Sequence, residues 1–258
     1  MAASPPAARL RDRVAVVTGG SRGIGAALAA ALAEAGARVV ISGRTRATLE
    51  RTAEAIGALA VVADAAERAS AREPVRQAID RFGRVDILVN NVGGTAGGNP
   101  DLFAGEDTAF EETLALCLSS AFWATRAAIP SMRAHGYGRI VNIGSGAARR
   151  AAGSPGYTAA KHGLVGLTRQ LAQDLARFAI TVNCVCPGWT DTELVSFERI
   201  ARRRGVSEER ARADAEAESA QRRILDAHEL GPMVVLLASP EGAGVTGQVI
   251  GVDGGYRL

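Results

Sequence analysis

Residues 14–25 read Val14-Ala15-Val16-Val17-Thr18-Gly19-Gly20-Ser21-Arg22-Gly23-Ile24-Gly25, and an alanine-rich stretch follows. The first four residues are apolar throughout, as in a strand buried on both faces, and the alanines suit a helix. Between the two, glycine falls where contact is closest. Gly19 permits a tight strand-to-helix turn, Gly23 lets backbone approach a pyrophosphate, and Gly25 lets helix and sheet pack closely. Ser21, Arg22 and Ile24 fill the rest of the turn, whose helix N-terminus would face the phosphates. The spacing is GxxxGxG rather than GxGxxG, and a plain tight turn would use the same glycines. Its place after the first strand of an alternating pattern turns the reading toward a dinucleotide.

Further apolar runs at 39–41, 59–63, 87–90, 140–143, 180–186 and 248–252 are separated mostly by helix-length, alanine-rich segments. Short continuous apolar strands alternating with helices predict a doubly wound, Rossmann-type α/β fold, a parallel sheet of about seven strands with helices on both faces. No repeat or low-complexity linker divides the chain. Residues 12–258 are therefore expected to form a single domain after a flexible arm at 1–11. One stretch breaks the pattern: residues 198–223 hold eight arginines and six acids. It reads as solvated helices or as a mobile insertion, a substrate lid spanning about 190–223.

The 258 residues, 47% hydrophobic and 22% charged, suffice to bury a core without disulfide or metal staples. Thirty basic residues face 27 acidic ones, and the net charge of +3 comes from arginines spread along the chain. A nucleic-acid footprint would be clustered, so no nucleic-acid partner is expected. No apolar run approaches the ~18 residues of a membrane helix. Residues 1–11 lack the apolar core of a signal peptide, and the expected location is the cytoplasm. Cys117, Cys184 and Cys186 have no metal-type spacing, so no metal is expected and a reducing compartment fits. Cys184 and Cys186 read as small core residues on one strand face, spaced too widely for an easy disulfide.

The end of the second strand chooses the cofactor, because a carboxylate there would bond the 2′-hydroxyl of an NAD ribose and repel a 2′-phosphate. The run is Val40-Ile41-Ser42-Gly43-Arg44, without an acid. Arg44, with Arg22 from the glycine turn, offers a pair of guanidinium groups suited to forked contacts with phosphate. NADP(H) is the expected cofactor. The alternative leaves both arginines as plain solvated surface.

In Tyr157-Thr158-Ala159-Ala160-Lys161 the two functional side chains are four residues apart and share a helix face. Pro155 suits the start of that helix. A phenol is a poor acid-base catalyst near neutrality unless a neighbouring cation favours its ionised form. Ser145 ends the strand at 139–144, where a doubly wound sheet places its ligands. Ser145, Tyr157 and Lys161 then converge on one carbonyl as candidate catalytic residues.

With these residues in order, the chain resembles the short-chain dehydrogenase/reductase family in its short single-domain form. The resemblance runs from about residue 12 to 255 and rests on several separate motifs. They are the glycine turn, Asn90-Asn91-Val92-Gly93 in place of the usual NNAG, the Ser145, Tyr157 and Lys161 set, and Pro187-Gly188 followed by Thr190. Thr246-Gly247-Gln248 and Val252-Asp253-Gly254-Gly255 also fit. The resemblance implies that Asp64 contacts the adenine, Asn90 the adenosine ribose, Lys161 the nicotinamide ribose, and the Pro187, Gly188 and Thr190 turn the carboxamide. On residue type alone Asp64 is equally a helix cap and Pro187-Gly188 a plain turn. Similarity to 3-oxoacyl-thioester and polyketide ketoreductases in Lys161-His162-Gly163 and in 183–188 implies a small-molecule ketone, or its alcohol, as substrate. Relatives form tetramers or dimers, and the apolar helix at 164–175 is the expected interface.

The sequence also departs from its relatives. Where they carry an asparagine in a pattern like N-L-x-x-x-F, this chain has Cys117-Leu118-Ser119-Ser120-Ala121-Phe122. That asparagine helps hold a water for proton relay, and a thiol is a weak donor and acceptor. The relay is then rerouted through neighbours such as Ser119 or Ser120, slowed, or absent. A second departure, His228-Glu229-Leu230-Gly231-Pro232, places a proline where only the first turn of a helix accepts one. The expectation is an NADPH-dependent carbonyl reductase. Its rivals are an NADP-binding sensor or scaffold without turnover and an NAD-dependent alcohol dehydrogenase.

Overall fold

The computed structural model describes residues 9–257. Its first half runs β1 (Val14–Val17), α1 (Gly23–Glu34), β2 (Arg38–Gly43), α2 (Arg46–Ile56), β3 (Leu59–Val62), α3 (Glu73–Phe82), β4 (Ile87–Asn90), α4 (Asp107–Leu114) and α5 (Ser120–Ala134). The second continues with β5 (Gly138–Ile143), α6 (Pro155–Leu175), β6 (Ile180–Pro187), β7 (Thr190–Asp191), α7 (Phe197–Arg204), α8 (Glu208–Ala217), β8 (Leu225–Asp226), α9 (Gly231–Ala238) and β9 (Val249–Val252). Seven strands form one parallel sheet in the order β3-β2-β1-β4-β5-β6-β9. The order reverses between β1 and β4, which opens a crevice at their carboxyl ends.

The continuous apolar runs are explained by the two faces of this sheet. Val16, Leu88, Ile140 and Val182 lie in register and enter the core beneath α3, α5 and α6. Val17, Val89 and Val141, one position on, enter the opposite core beneath α1 and α9. Strands β2, β5 and β6 extend beyond their apolar cores. In β5 the extension includes Arg139, 4% exposed, whose guanidinium donates to the carbonyls of Gly138, Ala179 and Ser239.

One expectation needs correction. Of the arm expected at 1–11, residues 1–8 lie outside the described residues. Leu10, by contrast, is fully buried in the core under α1, and its N–H donates to Ala35 O at 2.9 Å. In α6, Leu164, Leu171 and Leu175 are buried within the subunit, while Gly166, Arg169 and Gln170 are exposed.

The insertion consists of α7 and α8, which pack Phe197, Ala201, Ala211 and Ala215 into a small core of their own against Trp189. A two-stranded sheet of β7 and β8 ties its ends together. Pro232 falls in the first turn of α9, where its missing N–H leaves no gap. Among the described residues no helix is long and apolar enough to cross a membrane, and no cluster of three or more metal-ligating side chains occurs.

Candidate active site

A cavity of about 740 Å³ opens at the carboxyl ends of the strands, walled by the glycine turn, the β2 end, the β4–α4 and β5–α6 connections, and the insertion. Gly19 has φ +66°, and a Cβ there would press on Asn91 and Val92 at 3.1 Å. A Cβ at Gly25 would collide with Gly19 O and Asn91 Nδ2. Gly25 therefore packs α1 against the turn itself and Asn91. Asn91 was missed from sequence as a site residue, yet it stitches the turn: its N–H donates to Thr18 Oγ1, and its amide donates to Thr18 O and Gly19 O at 3.1 and 3.0 Å. Ser21, Arg22 and Ile24 border the cavity with Gly19 and Gly25. Gly23 does not. Its φ of +54° carries the chain past Thr192, which a Cβ would approach to 3.3 Å.

At the far end, Ser42, Gly43, Arg44 and Asp64 line the cavity. A Cβ on Gly43 would stand 3.0 Å from Ser21 Oγ, so glycine keeps this corner open. Asp64 accepts the Ala66 N–H at 2.9 Å and donates its own N–H to Ser70 Oγ at 2.7 Å, so it caps its loop and faces the cavity at once. Arg22 is paired with Glu193 of the insertion at 3.1 Å, both side chains being exposed. The Asn90 side chain needs correction as a ribose contact. It is 4% exposed inside the sheet, where its amide donates to Thr125 Oγ1 and Asn142 Oδ1, and it is absent from the cavity wall.

The three candidate catalytic groups arrive from two elements. Ser154 caps α6 by accepting the Tyr157 N–H at 3.3 Å, with Pro155 in the first turn. One helical turn later, Lys161 Nζ lies 5.6 Å from the centre of the Tyr157 ring. Lys161 is 2% exposed, and a buried ammonium needs an acceptor. It donates to Ile143 O at 2.8 Å, the last carbonyl of β5. The Gly93 Cα is close to the same Nζ, so a side chain there would crowd it. Ser145, two residues beyond Ile143, accepts the Ala147 N–H at 3.1 Å through its hydroxyl oxygen. Tyr157, Lys161, Ser145, Gly93, Pro187, Gly188 and Thr190 all border the cavity.

Cys117 sits in a wide helical turn, Ala115–Ser119, between α4 and α5. Its thiol donates to Gly94 O at 3.1 Å and stands 3.3 Å from the Gly94 N–H, which donates to it. It is 1% exposed. The side chain thus pins the loop that carries Gly93 past Lys161. Behind Ser145, the Cys184 and Cys186 sulfurs lie 3.8 Å apart against Gly144 as free thiols. The hydrogen bond shared with Cys184 is the main reason the Cys186 thiol is held below the ordinary thiol range, against its burial.

Trp189 and Leu194 border the cavity beside the insertion. The cavity adds Leu116, Val195, Ile200, Glu218, Tyr256 and Arg257. The last three carry no motif, because they come together only through the return of the chain from α8 and β9.

A family model described as enoyl-(acyl carrier protein) reductase matches residues 19–257. The short-chain reductase protein NovJ of Streptomyces niveus is 36% identical over 252 residues, covering 95% of this chain and 94% of that protein. The D-beta-hydroxybutyrate dehydrogenase of Rhizobium meliloti (strain 1021) is 35% identical over 257 residues, 95% of this chain and 98% of that one. Among solved structures, an actinorhodin polyketide ketoreductase variant with NADPH superposes with a TM-score of 0.89 at 33% identity, covering 95% of this chain and 97% of that chain.

Proposed function

The chain belongs to the short-chain dehydrogenase/reductase family, and from that premise we propose that it is an NADPH-dependent carbonyl reductase in which Ser145, Tyr157 and Lys161 act on a ketone. The observation that carries the reading is the convergence of these three side chains on one cavity, with Lys161 buried and held by Ile143 O.

The cavity fits a dinucleotide. Side chains at Gly19, Gly25, Gly43 and Gly93 would each close it or crowd its walls. Gly19, Ser21 and Ile24 would hold the pyrophosphate at the N-terminus of α1. Arg44 lines the cavity just after the β2 end, which carries no carboxylate, and with Arg22 it would meet a 2′-phosphate. Asp64 would take the adenine, Lys161 the nicotinamide ribose, and Pro187, Gly188 and Thr190 the carboxamide. When bound, the reduced nicotinamide supplies the hydride.

The chain's own residues supply the rest. The Ser145 and Tyr157 hydroxyls donate to the substrate carbonyl oxygen, and Tyr157 gives up its proton as charge develops there. The Lys161 ammonium stabilises the negative charge left on the phenol. Cys117 fixes the Gly94 loop beside Lys161, so that reprotonation runs past this loop. The NADPH-bound ketoreductase neighbour supports the choice of cofactor. A homo-oligomer, dimer or tetramer, is the proposed assembly.

Tyr157→Phe is expected to lower NADPH consumption with ketones by about 10²- to 10⁴-fold while NADPH binding by fluorescence persists. Turnover close to wild type would refute the mechanism. Arg44→Ala is expected to weaken NADPH binding at least ten-fold relative to NADH, about 1.4 kcal/mol of discrimination. An unchanged ratio of the two affinities would refute the cofactor assignment.

A further inference from the structure

Aromatic residues make up 4% of the chain, yet two of them line the same cavity as Tyr157: Trp189, just after β6, and Tyr256, beyond β9. One carboxylate ties both down. Trp189 Nε1 donates to Glu218 Oε2 at 2.8 Å, and Arg257, the residue after Tyr256, donates to Glu218 Oε1. The backbone repeats the tie, since the Arg257 N–H donates to Glu218 O at 2.8 Å and Ser219 pairs with Tyr256. Burial alone would raise the Glu218 carboxyl, but the bonds from Arg257 and Trp189 outweigh it and hold the group below the usual carboxylate range. Glu218 is thus committed to the protein.

The rings it fixes have defined seats. Tyr256 lies over Gly146, the residue after Ser145, where a Cβ would collide with the ring. Trp189 packs on Phe197 of the insertion with centroids 6.1 Å apart. The cavity wall also holds aliphatic side chains, from Leu116, Leu194, Val195 and Ile200, with Arg203 and Arg204 contributed by α7.

We propose that Trp189 and Tyr256 form an aromatic clamp that selects a flat cyclic ketone, aromatic or quinonoid, and that Glu218 is the positioning residue holding both rings. The proposal rests on the carbonyl-reductase reading. A planar π-system gains stacked or edge-to-face contacts from rigid aromatic walls, and an acyclic chain does not.

The test compares NADPH consumption on 1-tetralone, ethyl acetoacetate and acetoacetyl-coenzyme A by wild type, Trp189→Leu, Tyr256→Leu and Glu218→Gln. Wild type is expected to prefer 1-tetralone. Each variant is expected to lose at least five-fold more kcat/KM on 1-tetralone than on ethyl acetoacetate, the loss lying in KM. Equal losses on both ketones would overturn the clamp. So would a wild-type preference for acetoacetyl-coenzyme A, whose phosphates would answer to Arg203 and Arg204. A second readout does not depend on turnover: in a Trp123→Phe background, 2-naphthol is expected to quench Trp189 fluorescence. Quenching without reduction of any ketone would overturn the reductase reading and leave the clamp standing. Neither quenching nor reduction would overturn both.

Discussion

Cys117 shows how much one side chain carries. Its sulfur is a weak hydrogen-bonding group, yet it faces both polar atoms of Gly94 at 3.1 and 3.3 Å while almost fully buried. Asparagine offers a stronger donor and a stronger acceptor to the same two atoms. Cys117→Asn is therefore expected to keep or raise kcat, and a large loss would show that the site depends on the thiol. Cys117→Ala leaves the half-buried Gly94 groups without this partner and opens a small void, at a cost of about 1–3 kcal/mol in urea unfolding. The sequence marked this position as a departure from the family pattern. It could not show the partner, because Gly94 lies 23 residues away and meets Cys117 only through the turn between α4 and α5.

At the level of elements, the glycine turn, the Tyr157 to Lys161 spacing and all seven sheet strands were legible, since each is written in contiguous residues. The misreadings fall where tertiary contact decides. Leu10 is the one leucine in an alanine- and proline-rich N-terminal stretch, and only the core beneath α1 shows why it is ordered. Asn90 was expected at the adenosine ribose from the family resemblance alone. Its hydrogen bonds to Thr125 and Asn142 come from elements 35 and 52 residues away.

The short helical turn before α9 supplies a pH-dependent element. Asp226 and Glu229 form a reciprocal cap there, and Arg223 grips both oxygens of Glu229 at 2.6 Å. The hydrogen bonds from Arg223, then the Asp226 N–H, hold the Glu229 carboxyl down to about 2 from 4.5. A carboxyl lowered by folding stabilises the native state above its ordinary value, and the contribution disappears as pH falls from 4.5 toward 2. The melting temperature is expected to drop through that window, less steeply in Glu229→Gln, and to drop less at high salt because the pair is exposed. Parallel slopes for the two proteins would contradict this.

For the molecule as a whole, one sheet spans the described chain from Val14 to Val252, and the cavity draws on nearly every connection at its carboxyl edge. A ligand that touches so many segments binds only the assembled fold. NADPH at about a hundred times its Kd should stabilise by roughly 2.7 kcal/mol and raise a single melting transition by roughly 5–10 °C. Two separate transitions, with only one moved by NADPH, would show that the insertion around α7 and α8 unfolds by itself.

Strand β9 pairs with β6, and Tyr256 and Arg257 follow it directly into the cavity wall. During synthesis, a ribosome paused at Gly247 would hold a chain with every candidate catalytic side chain made, the β6 edge unpaired and the pocket open on one side. Such an intermediate can bind its own kind edge to edge until β9 is made and docks, so chaperone protection matters most over that interval. The same geometry sets a practical rule for handling the protein: bulk added at Tyr256 or Arg257 would crowd the mouth of the cavity.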